Sequence, residues 1–227
     1  NIKAFINNYI PKKITKRNDL DYLYARMRAK LIGFTGKPKS ILQNIDINQD
    51  IEIATYTRAI AYHQMPNIKL AQSEINKLIK IKPRDPFYNE LKGQFMLEIG
   101  DASSAVEAYK LAVELAPNEL LISSGLGRAL NSVGNHKSAL KVLKSVYHQD
   151  LKYGQMLYEL ARAYSHENQP GWASLITAER YALYGNFPSS EIHAKRALIL
   201  LVEGSVGWLK AEDILIQVQK NLRKNKH

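Results

Sequence analysis

The chain has 227 residues, 45% of them hydrophobic, and a formal net charge of +11, enough apolar material for a real core in one large or two small domains. No stretch approaches the roughly 18 uninterrupted apolar residues of a membrane-spanning helix, and with no cysteine disulfides and thiolate metal sites are excluded. The charge invites a nucleic-acid reading, yet no glycine-aromatic RNP-like run or basic-region heptad accompanies it, and lysines scattered over helix faces are ordinary solvated surface.

From the first residue, "NIKAFINNYIPKKITKR" reads as an extended, poorly anchored lead-in without the basic-apolar-small pattern of a signal peptide. An authentic N-terminus is expected upstream of Asn1. Residues 1–50 hold ten Lys/Arg against four Asp/Glu, a net of +6, and "KNLRKNKH" adds a basic tail. Next, "NDLDYLYARMRAKLIGF" (18–34) spaces Leu20, Leu23, Tyr24, Met27, Leu31 and Phe34 on one side of a helix, with Asn18 or Asp19 as N-cap. The expectation is a connector helix docked by that apolar stripe, with Arg26, Arg28 and Lys30 in water. "TGKPKSILQNIDINQD" follows as a loop or short helix.

From about residue 50 the chain repeats itself. Ala59, Gly93, Gly127 and Ala161 stand 34 apart, as do Tyr62, Met96, Leu130 and Tyr164, and Ala71, Ala105 and Ala139; Pro83 and Pro117 close two units. Small residues let two antiparallel helices approach, and the bulky column fills the space between them. Gly100 and Gly134 fall at the turn, where positive φ is cheap only for glycine. Proline stops the second helix. Each unit is a helix hairpin, beginning near Glu52, Pro86, Leu120 and Gly154.

The fourth unit restarts early, with Ala178, Tyr181, Gly185 and Ala197 taking the small, bulky, turn and late-helix places. The register slips by half a repeat, giving helices at about 154–167, 171–184 and 189–203. A last helix near 206–223 has a polar-apolar stripe suited to capping an array.

"GQFMLEIGDASSAVEAYKLAVELAP" (93–117) resembles the tetratricopeptide repeat (TPR), although Thr55, Asn89, Ser123 and Leu157 stand where the family has its signature tryptophan. The resemblance implies an all-α, TPR-type helix-hairpin α-solenoid over 50–227, with a C-terminal capping helix and, over 1–49, the lead-in and connector. Its usual geometry turns one side of each first helix to a partner-binding groove: Tyr56, His63 and Gln64; Phe87, Glu90, Gln94 and Glu98; Arg128 and Asn131; Tyr158, Arg162 and His166. Aromatic anchors mixed with amides and charges suit protein or peptide binding. The lysine and asparagine of chaperone-tail clamps are absent, since Tyr56/Ile60 and Glu90/Gln94 stand there.

Nothing in the sequence points to catalysis. The histidines at 63, 136, 148, 166, 193 and 227 lack ligand spacing, and "SHENQPGW" has Pro170 where an H-E-x-x-H zinc motif needs its second histidine. "SSGLGRAL" opens a repeat rather than following a strand, so it is no phosphate loop. No cofactor is expected in this chain.

A second resemblance lies in "YARMRAKLIGF" after "NNYIPKKITKR", in "DPFYNELKGQFMLEIGD" and in "HAKRALILL". Together they look like the C-terminal half of BepA-like (YfgC-like) bacterial zinc metalloproteases. That resemblance implies a protease domain before this chain, with zinc held there, a periplasmic location, and partners in outer-membrane assembly or in the protease domain itself. The alternative is a free-standing TPR adaptor with no protease domain.

Overall fold

The structure, a computed structural model, describes residues 19–45, 50–149 and 153–224. The lead-in over 1–17, with the N-cap expected at 18, and the last three residues of the basic tail lie outside them. Among the described residues there are twelve helices and no strand: α1 (Asp19–Thr35), α2 (Pro38–Gln43), α3 (Ile51–Gln64), α4 (Ile68–Ile81), α5 (Pro86–Glu98), α6 (Ala102–Leu115), α7 (Leu120–Ser132), α8 (His136–His148), α9 (Gly154–His166), α10 (Pro170–Leu183), α11 (Phe187–Leu200) and α12 (Val206–Lys224). The repeat starts read from sequence fall within one residue of α3, α5, α7 and α9. The chain forms two compact units, residues 1–83 and 84–227.

In the first unit, α3 and α4 make a hairpin and α1 packs on α3. Asp50 caps α3 by accepting hydrogen bonds from the Glu52 and Ile53 amides, and Asn67 caps α4 through the Leu70 amide, satisfying donors that a bare helix start would orphan. Ile60, Ile75 and Leu78 are wholly buried. The orientation of α1 reverses the sequence expectation. Leu23, Tyr24, Met27 and Leu31 are 46%, 52%, 72% and 61% exposed, whereas Arg26 is buried with its guanidinium 5.7 Å from the centre of the Tyr56 ring. The docked face runs Tyr22, Arg26, Ala29, Gly33. Its last member explains the choice, because a Cβ on Gly33 would lie 2.7 Å from Ile60 Cγ2. Close approach of α1 to α3 selects the face with small residues, and apolar spacing alone does not report that. At the start of this face the Tyr22 hydroxyl donates to the buried Glu52 carboxylate, and Lys82 Nζ lies 2.9 Å from Glu52 Oε1.

In the second unit each helix packs on its neighbours in sequence from α5 to α12. The small-residue columns work by contact. Tyr109 of α6 lies between Gly93 and Gly125, on which a Cβ would come within 2.6 and 2.2 Å of its ring, and a Cβ on Gly127 would lie 2.5 Å from the Leu143 side chain. Gly100 and Gly134 have φ of +88° and +77°, and Asn168, the next position at this spacing, has +53°. Asparagine is the best non-glycine occupant of that region. The half-repeat slip is visible in the packing: next-but-one contacts run from α5 to α7 to α9, then resume between α10 and α12. Thus α10, while pairing with α9, also opens the next hairpin. At the end, Leu175, Ala197 and Ala211 form a buried cluster with Trp172, Leu198, Leu201 and Ile214 against it. The capping helix α12 buries Ala211 and Val218 yet leaves Val206, Leu209 and Ile216 exposed, so its outer side is not wholly polar.

Candidate functional site

The second unit holds a concave cleft of about 370 Å³ walled by α9, α10 and α11. Helical spacing builds it. Tyr158, Arg162 and Ser165 recur at i, i+4 and i+7 along α9; Ala173, Ser174, Thr177, Arg180 and Tyr181 do the same along α10; His193 and Arg196 come from α11. The small side chains of Ala173, Ser174 and Thr177 on α10 line it beside the long cationic ones. Three arginines line the cleft and no carboxylate does.

Each arginine is held differently. Arg162 donates from Nη2 to the Asn131 carbonyl at 3.0 Å, and its Nη1 lies 3.4 Å from Glu159 Oε2. Glu159 is itself buried and accepts from Asn131 Nδ2 at 2.9 Å and Gln155 Nε2 at 3.1 Å. Arg180 donates from Nε to the Gly154 carbonyl at 3.1 Å, with its guanidinium 5.4 to 6.0 Å from the ring centres of Tyr158, Tyr181 and Tyr184. Arg196 is exposed. The His193 ring stacks on Tyr181 at 5.5 Å, and its buried Nδ1 has no hydrogen-bond partner in the structure. Burial, then the Arg196 charge, lowers the His193 pKa from the ordinary histidine value, so the ring is neutral near pH 7.

Of the groove residues expected from sequence, Tyr158 and Arg162 enter this cleft. His166 instead stacks on His136, ring centres 3.8 Å apart. Two expectations need correction on accessibility. Asn131 is only 1% exposed, because it bridges α7 to α9 through the Glu159 carbonyl and carboxylate. Tyr56 is also 1% exposed, its ring being the surface on which Arg26 rests. In the first unit His63 is half-buried and Gln64 exposed. Along α5, Phe87, Glu90 and Gln94 are half-buried and Glu98 is exposed, accepting from Gln94 Nε2 at 3.0 Å; on α7, Arg128 is half-buried. Sequence reasoning missed Arg180, His193 and Arg196. It placed Tyr181 in the bulky packing column, whereas its ring also lines the cleft. The available signal was the half-repeat slip, which carries groove positions onto α10 and α11.

Among the described residues no group of three or more His, Cys, Asp or Glu could hold a metal ion, and no helix is long and apolar enough to cross a membrane. The zinc implied by the protease resemblance would be held in the preceding protease domain.

The tetratricopeptide-repeat family profile matches residues 88–119, and no curated protein sequence matches the chain. Among solved structures, MamA 41-end from Desulfovibrio magneticus RS-1 aligns at 18% identity and a TM-score of 0.57, over 79% of this chain and 99% of that one. TTC0263, a thermophilic TPR protein from Thermus thermophilus, aligns at 17% identity and 0.50, over 73% and 99%. The Cut9–Hcn1 hetero-tetramer of APC/C aligns at 15% and 0.57, over 86% of this chain and 35% of that one. With the profile falling on the α5–α6 hairpin and the four residues after it, and helix hairpins on either side, the chain has the fold of a TPR-type α-solenoid.

Proposed function

We propose that this chain is the noncatalytic, partner-binding arm of a periplasmic zinc metallopeptidase of the BepA-like kind, recruiting outer-membrane assembly machinery or contacting its own protease domain. Zinc and peptide-bond chemistry would belong to that other domain. The observation that carries the binding role is the arginine-lined cleft of the second unit, a concave surface with no carboxylate in its walls. The resemblance of "YARMRAKLIGF" and "HAKRALILL" supports the family assignment. The outward strip of α1 adds to that support, because a joint to a further domain needs apolar surface to bury.

The second reading, a free-standing adaptor, is favoured by a different observation: the alignment to TTC0263 spans 99% of the solved chain of that thermophilic TPR protein, which leaves little of that chain outside the solenoid. The coding sequence ahead of Asn1 separates the two. A secretion signal followed by H-E-x-x-H supports the protease arm, and a start codon directly before Asn1 rules it out. The binding role itself is tested by selecting ligands from a random-peptide library with the intact chain. We expect selected peptides whose binding weakens about tenfold or more in Arg128→Glu or Arg196→Glu while helicity stays unchanged; a library that yields no ligand overturns it.

A further inference from the structure

We infer that the arginine cleft and the apolar trough beside it form one bipartite site for a peptide segment carrying an acidic residue next to a large aliphatic one. This deepens the protein-binding reading above and rests on it. The trough, about 520 Å³, is lined by Pro170, Ile192, Lys195, Arg196, Ile199 and Leu200. It shares Pro170 and Arg196 with the cleft, so the two adjoin along α11. Ile192, Arg196 and Ile199 stand at i, i+4 and i+7, which sets a cation between two aliphatic side chains on one helix face.

That face is costly to leave bare. Ile192 and Ile199 are 66% and 82% exposed, with Leu200 and Val202 beside them at 45% and 79%. A partner that covers this strip removes its aliphatic surface from water. The available cations specify the ligand's charge. Lys195 is engaged by Glu191 at 2.8 Å and Arg162 by Asn131 and Glu159, whereas Arg196 has no hydrogen-bond or ion-pair partner among the described residues. Arg180 spends Nε on the Gly154 carbonyl, which leaves its two terminal nitrogens for a carboxylate fork.

The walls choose between anions. A nucleic acid could use the arginines and the Tyr158 and Tyr181 rings of the cleft, but it would leave the aliphatic half, Ile192 and Ile199, bare. A lipid surface would meet the exposed Lys195 and Arg196, whereas Arg162 and Arg180 are half-buried in the cleft. A carboxylate one or two residues from a leucine or isoleucine meets both halves.

The test uses the intact chain and a short labelled peptide with a Leu-Glu-Asp-Leu core in Gly/Ser flanks, read by fluorescence anisotropy. We expect saturable binding that weakens about tenfold or more when the acids become Gln and Asn, and likewise when the leucines become serine. Arg196→Glu and Ile199→Asp, both at exposed positions, should each produce a comparable loss with unchanged circular dichroism. Equal binding of the neutral peptide overturns the inference, as does a phosphoserine peptide or DNA duplex that binds more tightly and ignores Ile199→Asp. If the acidic-aliphatic peptide fails while library-selected peptides bind elsewhere, this inference falls and the protein-binding reading stands. If neither binds, both fall.

Discussion

Tyr109 shows how a single residue fixes helix spacing in this fold. Its ring fills the gap left by two glycines, and an added Cβ at Gly125 would lie 2.2 Å from Cε1. In a solvated helix, Gly→Ala gains about 1 kcal/mol from propensity. Here overpacking outweighs it, and Gly125→Ala is expected to destabilise the fold by about 1–3 kcal/mol, measured by urea unfolding. The histidines give a residue-scale pH prediction. Burial lowers the pKa of His136 and of His193, reinforced by the charges of His166 and Arg162 on the first and of Arg196 on the second. A folded pKa below the unfolded one means that the unfolded chain binds more protons between the two values. The stabilisation is therefore full above the ordinary histidine pKa of about 6.5 and is lost as pH falls through the lowered folded values. Melting temperature should drop between roughly pH 7 and pH 5, ahead of carboxylate titration, and His136→Gln should flatten that slope. A melting temperature flat across this range would contradict the assigned direction.

At the scale of one helix, α1 separates what spacing reveals from what it hides. Its existence was legible, and its end was read at Phe34, one residue short of Thr35, because period and composition are local properties. Its docked face was not. The sequence shows an apolar stripe, but the side that fits α3 is set by Ala29 and Gly33 and by polar anchors reaching from elsewhere in the chain, Glu52 and Lys82. Opposite responses on the two faces follow. Met27→Lys and Leu31→Lys should change stability by no more than about 0.5 kcal/mol, whereas Gly33→Leu, driven into Ile60, should cost about 1–3 kcal/mol. The reverse order in thermal unfolding would restore the apolar stripe as the docked face. The cleft was half legible for a related reason. Positions on α9 follow the 34-residue register, which found Tyr158 and Arg162, but Arg180 and Arg196 lie past the slip, where no groove position had been counted.

Within each unit, helices bury their surface against near neighbours in sequence, so stability is spread along the unit rather than gathered in one centre. The second unit has its own interior, from Leu91 and Phe95 through Leu143, Leu157 and Leu160 to Leu175, and both helix pairing and the slip are contained within it. Residues 84–227 expressed alone should keep their helicity by circular dichroism and unfold cooperatively in urea. A fragment with sharply reduced helicity would show that this interior depends on the residues before it. The net charge of +11 also becomes local at this scale: part of it is concentrated in one concavity, where a guanidinium counts for more than on an open face.

The inverted seating of α1 carries a chemical consequence as well. It leaves Met27 72% exposed while Met65 is half-buried and Met96 and Met156 are at 6% and 0%, and sulfoxide formation follows access to the side chain. Mild peroxide followed by peptide mass spectrometry should modify Met27 first, and anything that covers α1 in the assembled protein should slow that reaction selectively, which makes this sulfur a built-in reporter of when the strip is occupied.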